Sequence, residues 1–344
     1  MSRTRPHPAA RLVALGVVAG LVGCTPASAS PDHLTLVGFA VVRAAHGEAR
    51  ESWAATPEGA GVAWSSAFGA SGDQSRAVAA GLPADVVHLS VVADVERLVT
   101  AGRVDATWDD GPEGGIVSQS VVVLVVRPGN PLGVTDWADL TAPGVEVVTP
   151  NPGSSGAARW NVLAAWASAG GTLREAPGGA PGGTPSQSEA EGFLARLLGN
   201  VVAYPGSGRD ATTAFAAGTG DVLISTENEA ILARQRGEDV EYVIPPTTFL
   251  VQNPAAVTTD APVRAQDYLD HVRGPEGQRA LASTGFRPLG DVGDVVVPGA
   301  SEPERPFPEP EHLVTLDDVG GWAAVDAHLF GPDGVVTRLQ RGGA

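Results

Sequence analysis

Along the 344 residues, short β-branched apolar runs alternate with stretches of helical period. Leu34 to Val42 reads as a buried strand, Ala44 to Thr56 as a helix and Gly61 to Trp64 as a second strand. Helical spacing over Gly72 to Ala80, a strand-like Ala84 to Leu89 and a helical Val92 to Thr100 continue the alternation. Strand followed by helix, repeated, predicts a parallel sheet in an α/β domain. Ile116 to Val126 is the longest apolar β run, broken by Arg127-Pro128-Gly129-Asn130-Pro131, and it opens a second α/β unit near residue 115. That unit continues through a turn at Trp137 to Leu140, a strand at Val145 to Val148, a helix to about Ala169, and a further helix at Ser188 to Leu198. Strands at Val201 to Ala203, Asp221 to Ser225 and Glu241 to Ile244 complete it, with a helix at Glu229 to Arg236. Pro245-Pro246 marks a crossover, after which Phe249 to Val251 and Ala255 to Val257 return to the first unit. Helices at Ala261 to Val272 and Pro275 to Ser283 follow, then an extended Pro303 to Pro310 and a last helix within His312 to Phe330. Pro177 to Ser186 is a Pro/Gly/Ser-rich surface loop.

Candidate chemistry concentrates where strands give way to helices. In Thr149-Pro150-Asn151-Pro152-Gly153-Ser154-Ser155-Gly156-Ala157, two prolines stop a strand, serines occupy the cap position, and two small residues open the next helix. The first turn of a helix has N–H groups without partners and a partial positive charge, so a Ser-Gly turn there is suited to an oxyanion. The same arrangement occurs at Ser71-Gly72 and Ser207-Gly208.

Composition narrows the classes. A hydrophobic fraction of 43% supports two globular domains with cores. A net charge of −17, with arginine as the only basic residue besides histidine, argues against nucleic acid and against an acidic lipid surface. Any anion site here must therefore work through local donors. Arg3, Arg5 and Arg11 precede an apolar Leu12 to Leu21, which is too short to span a bilayer, and Leu21-Val22-Gly23-Cys24 resembles the lipobox of bacterial lipoproteins. Residues 1–23 are then a signal peptide, Cys24 a lipidated N-terminus, and 24–33 a flexible tether. Removing the three arginines of the leader takes the net charge from −17 to −20. Cys24 is the only cysteine, so no internal disulfide forms.

Signatures of catalysis are absent. The seven histidines show no metal-ligand spacing, and a chain without lysine has no phosphate-loop lysine. The sequence calls for no metal, cofactor or catalytic residue.

Further blocks carry a family resemblance: Ala84-Asp85-Val86-Val87, Val126 to Pro131, Asp136-Trp137 with Asp139-Leu140, Thr149 to Pro152, Ser155-Gly156 with Ala158-Arg159-Trp160-Asn161, Gly220 to Ile224, Glu227 to Ala230, Pro275 to Gln278 and Gly320 to Ala323. Over roughly residues 34 to 335 the chain resembles the sulfate- and thiosulfate-binding proteins of bacterial ABC transporters. The resemblance implies an α/β, two-lobed periplasmic-binding-protein fold (type II), each lobe a mainly parallel sheet flanked by helices, with two crossovers at the hinge. Lobe 1 is expected at 34–115 plus 246–300, lobe 2 at 116–245, and residues 301–344 as an extended segment and helix packing across the lobes. It also implies an extracytoplasmic, lipid-anchored monomer that captures sulfate or thiosulfate and hands it to ABC permease subunits.

Carried over residue by residue, the resemblance assigns the ligand to Ala40, Ser71, Ser155, Gly156, Ala157, Gly208 and Thr226, with both serines giving a hydroxyl and an N–H. The chain departs from the family at Ala40, where an aspartate is common, and at Thr226, where a tryptophan is known. It departs again at Asp73, where lysine is usual, and at Asp210, where a small residue is. Sulfate is fully ionised at neutral pH and needs donors only, whereas phosphate retains a proton and needs an acceptor. An inward Asp73 or Asp210 would favour phosphate; acidic groups in a first helical turn more commonly face solvent. About six charge-assisted bonds of roughly 1.5–3 kcal/mol each exceed the ~4 kcal/mol or more that immobilisation costs, by enough for micromolar binding. Arg43, Arg159 and Arg209 lie near the three turns as charge support or as surface ion pairs. A secreted hydrolase using Ser71 or Ser155 as nucleophile is the alternative of another class, and it requires a histidine within hydrogen-bond reach.

Overall fold

The computed structural model describes residues 33–173 and 185–342. The leader, Cys24, the tether up to residue 32 and the low-complexity stretch over 174–184 lie outside the described residues.

β1 (His33–Phe39) enters the core as an apolar strand and passes through a single 3₁₀ turn at Ala40–Val42 into α1 (Arg43–Ala54). β2 (Ala63–Gly69) precedes α2 (Ser71–Ala79), and β3 (Val86–His88) precedes α3 (Val92–Thr100). β1 pairs in parallel with both β2 and β3, as the strand–helix alternation predicts. The second strand runs later than its apolar signal suggested, because Ala63 to Gly69 forms a half-exposed sheet edge whose polar positions hide the period.

β4 (Ile116–Val126) is buried along nearly its whole length. The second group continues with β5 (Val147–Val148), α4 (Gly156–Ser168), α5 (Pro185–Gly199), β6 (Val201–Ala203) and α6 (Gly208–Ala216). It closes with β7 (Val222–Thr226), α7 (Glu227–Gln235) and β8 (Glu241–Val243). β5 pairs in parallel with β6 and β7, while β4 runs antiparallel to β7 and β8. β9 (Thr247–Val257) is one strand where two short ones were expected. α8 (Val263–Arg273) and α9 (Pro275–Ser283) follow it.

The strand order β2-β1-β3-β9-β4-β7-β5-β6 places two long strands at the centre. β9 pairs with β3 through Ala255 to Val257, and β4 pairs with β7 through Val122 to Val126. Between those segments the two pair with each other, Gln119 opposite Gln252 and Val121 opposite Leu250. Each long strand thus belongs to both groups, which makes the pair the connection of a two-lobed α/β fold. One lobe's core holds Leu34, Leu36, Trp53, Val86, Tyr268 and Phe286; the other's holds Leu124, Val147, Leu163, Trp166 and Ile224.

The C-terminal region differs from its reading. His312 to Phe330 begins with β10 (His312–Val314), parallel to β9, and then forms α10 (Trp322–Val325), which widens into one π-helical turn at Asp326–Phe330. The last helix is α11 (Val335–Gly342), beyond the expected range. Gly331 and Gly334 interrupt the helical period there, and Val319, Trp322, Leu329 and Val336 join the core of α4 and α5.

Candidate functional site

Parallel strands present their carboxyl ends to one side of a sheet, and the loops there form the usual ligand crevice. Here those ends are followed by Ala40 after β1, Ala70-Ser71 after β2, Ser90 after β3, Ser155-Gly156-Ala157 after β5, and Ser207-Gly208 after β6. All of them line one small cavity of about 10 Å³. Phe39, Val41 and Gly69 complete the lining, and no charged side chain is part of it. Six residues expected from the sequence therefore meet: Ala40, Ser71, Ser155, Gly156, Ala157 and Gly208. Thr226 does not line the cavity; it stands buried at the N-cap of α7.

Three helices, α2, α4 and α6, begin at this point, and their first-turn N–H groups have no acceptor within their own helices. Small residues let them converge. A Cβ added at Gly156 would come within 2.5 Å of the Ser90 Cβ, and one at Gly208 within 3.2 Å of Val41 and 3.4 Å of Ala157. The Gly72 N–H donates to the Ser154 carbonyl at 3.0 Å, joining the start of α2 to the loop before α4.

The two serines differ in what their hydroxyls meet. The Ser71 hydroxyl donates to Asp94 Oδ2 at 2.6 Å and accepts from the Ser90 N–H at 2.8 Å. Its one proton is therefore committed to a buried carboxylate, which Arg97 also contacts at 2.7 Å. Ser155 is buried, does not cap its own helix, and makes no side-chain hydrogen bond among the described residues. Its hydroxyl is free to donate into the cavity. Ser207 instead donates to Asp210 Oδ2 at 2.7 Å and accepts from the Asp210 N–H, which holds the entry to α6. Ser90 and Asp94 were not anticipated, and of the Ser207-Gly208 turn only Gly208 was expected at the ligand. Asp94 acts from a separate helix and left no local signal.

The acidic residues in doubt turn away. Asp73 is 59% exposed and pairs with Arg76, and Asp210 is exposed and occupied by Ser207. Of the arginines near the turns, Arg43 stacks over Phe68, and Arg159 pairs with Asp326 at 2.6 Å. Arg209 reaches to within 3.0 Å of Glu229. That last contact lacks hydrogen-bond alignment, leaving both Glu229 carboxylate oxygens without a hydrogen bond among the described residues. Burial raises the pKa of Glu229, opposed by Arg209 and then Arg236.

A chain of buried side chains runs from α8 to the cavity wall. Tyr268 meets His46 at 2.7 Å, His46 meets His88 at 2.9 Å, and His88 meets Ser118 at 3.2 Å. Ser118 donates to Asn253 Oδ1, and Asn253 Nδ2 donates to the Ser90 carbonyl at 3.0 Å. Because the Ser118 proton goes to Asn253, His88 must donate from Nε2 and accept at Nδ1; His46 then donates from Nε2 and accepts from the tyrosine. Every donor points the same way, and a second proton on either ring would face another donor. Burial holds His88 down to about 3 and His46 well below the ordinary histidine range, the neighbouring His88 adding to the latter. Neither ring bonds to Ser71 or Ser155.

The model of the bacterial extracellular solute-binding protein family matches residues 34–287. A protein of Synechococcus elongatus named as a sulfate-binding protein is 38% identical over 326 residues, covering 91% of this chain and 88% of that one. A thiosulfate-binding protein of Escherichia coli K12 is 32% identical, with 85% of each chain covered. Among solved structures, the sulfate-binding protein SubI from Mycobacterium tuberculosis superposes with a TM-score of 0.78 at 40% identity, covering 87% of this chain and 99% of that one.

Proposed function

This chain belongs to the bacterial extracellular solute-binding protein family, and from that premise we propose that it is the sulfate receptor of an ABC transporter. It takes up sulfate or thiosulfate outside the cytoplasm and passes it to the permease. The names of its relatives support the ligand class. The observation that carries the reading to particular residues is the convergence of three helix N-termini on one cavity without a charged lining residue.

In this reading the N–H groups of Ala40, Ser71, Gly156, Ala157 and Gly208 and the Ser155 hydroxyl surround the anion. Each bond to a charged group contributes roughly 1.5–3 kcal/mol, and the desolvated helix ends supply the compensating positive potential. Donors alone suit a fully ionised anion. With Asp73 in an ion pair at the surface and Asp210 held by Ser207, neither carboxylate is placed to accept the proton that phosphate retains. This favours sulfate over phosphate. The Ser71 proton is held by Asp94 and neither serine meets a histidine, which favours capture over hydrolysis.

Release requires the cavity to open, because its walls come from both strand groups. The lobes are taken as 34–115 plus 246–300 and 116–245, with β4 and β9 as the flexing pair. Lipidation at Cys24 would hold the receptor beside its permease. Isothermal titration of the protein with sulfate, thiosulfate, phosphate and molybdate tests the assignment. Micromolar or tighter binding of a sulfur oxyanion with no heat from phosphate is expected; phosphate binding of equal strength would overturn it.

A further inference from the structure

Ser90 sits where three parts of the molecule meet, and its backbone is fully engaged. Its N–H is given to Ser71 Oγ, and its carbonyl accepts from Asn253 at 3.0 Å and from the Trp160 indole Nε1 at 2.8 Å. Asn253 lies on β9 beside β3, where the Leu89 N–H bonds to the Pro254 carbonyl, so Asn253 stays with Ser90. Trp160 comes from the other lobe, one turn into the helix that begins at Gly156. The next residue, Val91, follows the same path: it is 1% exposed and packs in the core cluster of Trp137, Trp160 and Phe249.

We infer that the Trp160 indole N–H and the Ser90 carbonyl form a latch that holds the cleft closed around the bound anion, with Trp160 as a positioning residue that does not touch the ligand. An indole in this protein does not need an acceptor merely to be buried, since the buried Nε1 groups of Trp166 and Trp322 have none among the described residues. Trp160 has its acceptor only because α4 has come up against the Ser90 turn. Its ring is fixed at its correct angle by Phe249 and Trp322, whose centroids lie 5.7 and 5.5 Å away. The Tyr268–His46–His88–Ser118–Asn253 chain fills the other lone pair and fixes the direction of the carbonyl, so that the indole meets a rigid acceptor. The same turn carries the anion signal, because Ser90 and Ser71 both line the cavity. Without an anion, the positive ends of α2 and α4 face each other across it and favour separation. With an anion between them they are drawn together and the latch engages.

This inference rests on the receptor reading, and one set of experiments separates the two. In ¹⁵N-tryptophan-labelled protein, the Trp160 indole signal should exchange with solvent at least tenfold more slowly in sulfate than without it. In Trp160→Phe, which keeps a packed ring and loses the donor, sulfate should dissociate roughly fivefold faster in stopped-flow measurements with association unchanged, the loss of one ordinary hydrogen bond from the closed state only. Equal protection of the indole with and without sulfate, or an unchanged dissociation rate, would overturn the latch while leaving the receptor intact. The exchange measurement needs only the wild-type protein, so a poorly folding variant does not weaken the test. A wild-type protein that binds no sulfur oxyanion would overturn both.

Discussion

Gly156 is the position at which closure is most exposed to a single methyl group. An alanine Cβ there would sit 2.5 Å from Ser90 Cβ, 2.8 Å from Ser90 Oγ and 3.3 Å from Val91 Cγ1. The first two contacts fall well inside normal carbon separation, and Ser90 cannot retreat, because its N–H and carbonyl are bonded to Ser71, Asn253 and Trp160. Overpacking of this kind costs about 1–3 kcal/mol. The clash exists only where α4 meets the Ser90 turn, so the penalty falls on the closed, ligand-bound form. Gly156 is helical and has no need of a positive φ, so alanine is tolerated or slightly favoured while the cleft is open. Gly156→Ala should therefore weaken sulfate binding roughly 5- to 150-fold. The melting temperature without ligand should stay the same or rise a little. Isothermal titration and thermal unfolding with and without sulfate read both quantities. Wild-type affinity in this variant would refute the closed geometry at Ser90; a lowered melting temperature without ligand would refute the claim that the strain belongs to closure.

Other expectations follow from the same contacts. Ser155→Ala removes a free donor and should weaken sulfate binding by about 1.5–3 kcal/mol with little change in unfolding free energy, as titration and urea denaturation would report. Ser71→Ala should act the opposite way: it takes the Ser71 partner from Asp94 Oδ2 and from the Ser90 N–H, so roughly 1–3 kcal/mol should be lost from unfolding, and its direct effect on the anion should be smaller than that of Ser155→Ala. Thr226→Ala should bind sulfate as the wild type does, within about twofold on the titration curve, since Thr226 lies off the cavity. The buried histidines give an acid limb. His46 and His88 have lowered folded pKa values, so the unfolded chain takes up their protons first, and the stability they confer is present above the usual value near 6.5 and lost as pH falls toward about 3. Between pH 8 and pH 5, His88 alone should cost roughly 2 kcal/mol of unfolding free energy. Urea titrations at the two pH values measure it, and a flat result would mean that the two rings titrate in the folded protein as they do in the unfolded chain.

Much of this architecture was legible because the local signals agreed with one another. Ile116 to Val126, Val92 to Thr100 and Pro275 to Ser283 form the expected elements with the expected limits, since an unbroken apolar run or a Pro-started helix leaves little alternative. The Ser-Gly turns pointed to the cavity because the anion logic of a helix N-terminus is local: serine, glycine and the helical run are neighbours in sequence. What the sequence could not display was which proton goes where. Ser71 and Ser155 occupy equivalent turns and look alike, yet Asp94, more than twenty positions after Ser71, takes the hydroxyl of the first and none of the described residues takes that of the second. Thr226 was placed at the ligand by family position alone, and the fold sets it at the head of α7. The length of β9 was hidden by Asn253-Pro254 in its middle, which reads as a break but stands on a strand whose pairing changes there from β4 to β3. The histidine chain draws on five elements, and no spacing in the sequence announces it.

If uncharged donors at three helix starts hold a fully ionised oxyanion, isothermal titration of the wild-type protein with sulfate and phosphate across pH 5 to 8 should separate the two anions. Sulfate should bind at micromolar affinity or tighter throughout that range, and phosphate should give no heat at any pH in it. Phosphate binding that competes with sulfate and strengthens as the anion gains a proton would contradict this, because a carboxylate or another acceptor would then have to enter the cavity.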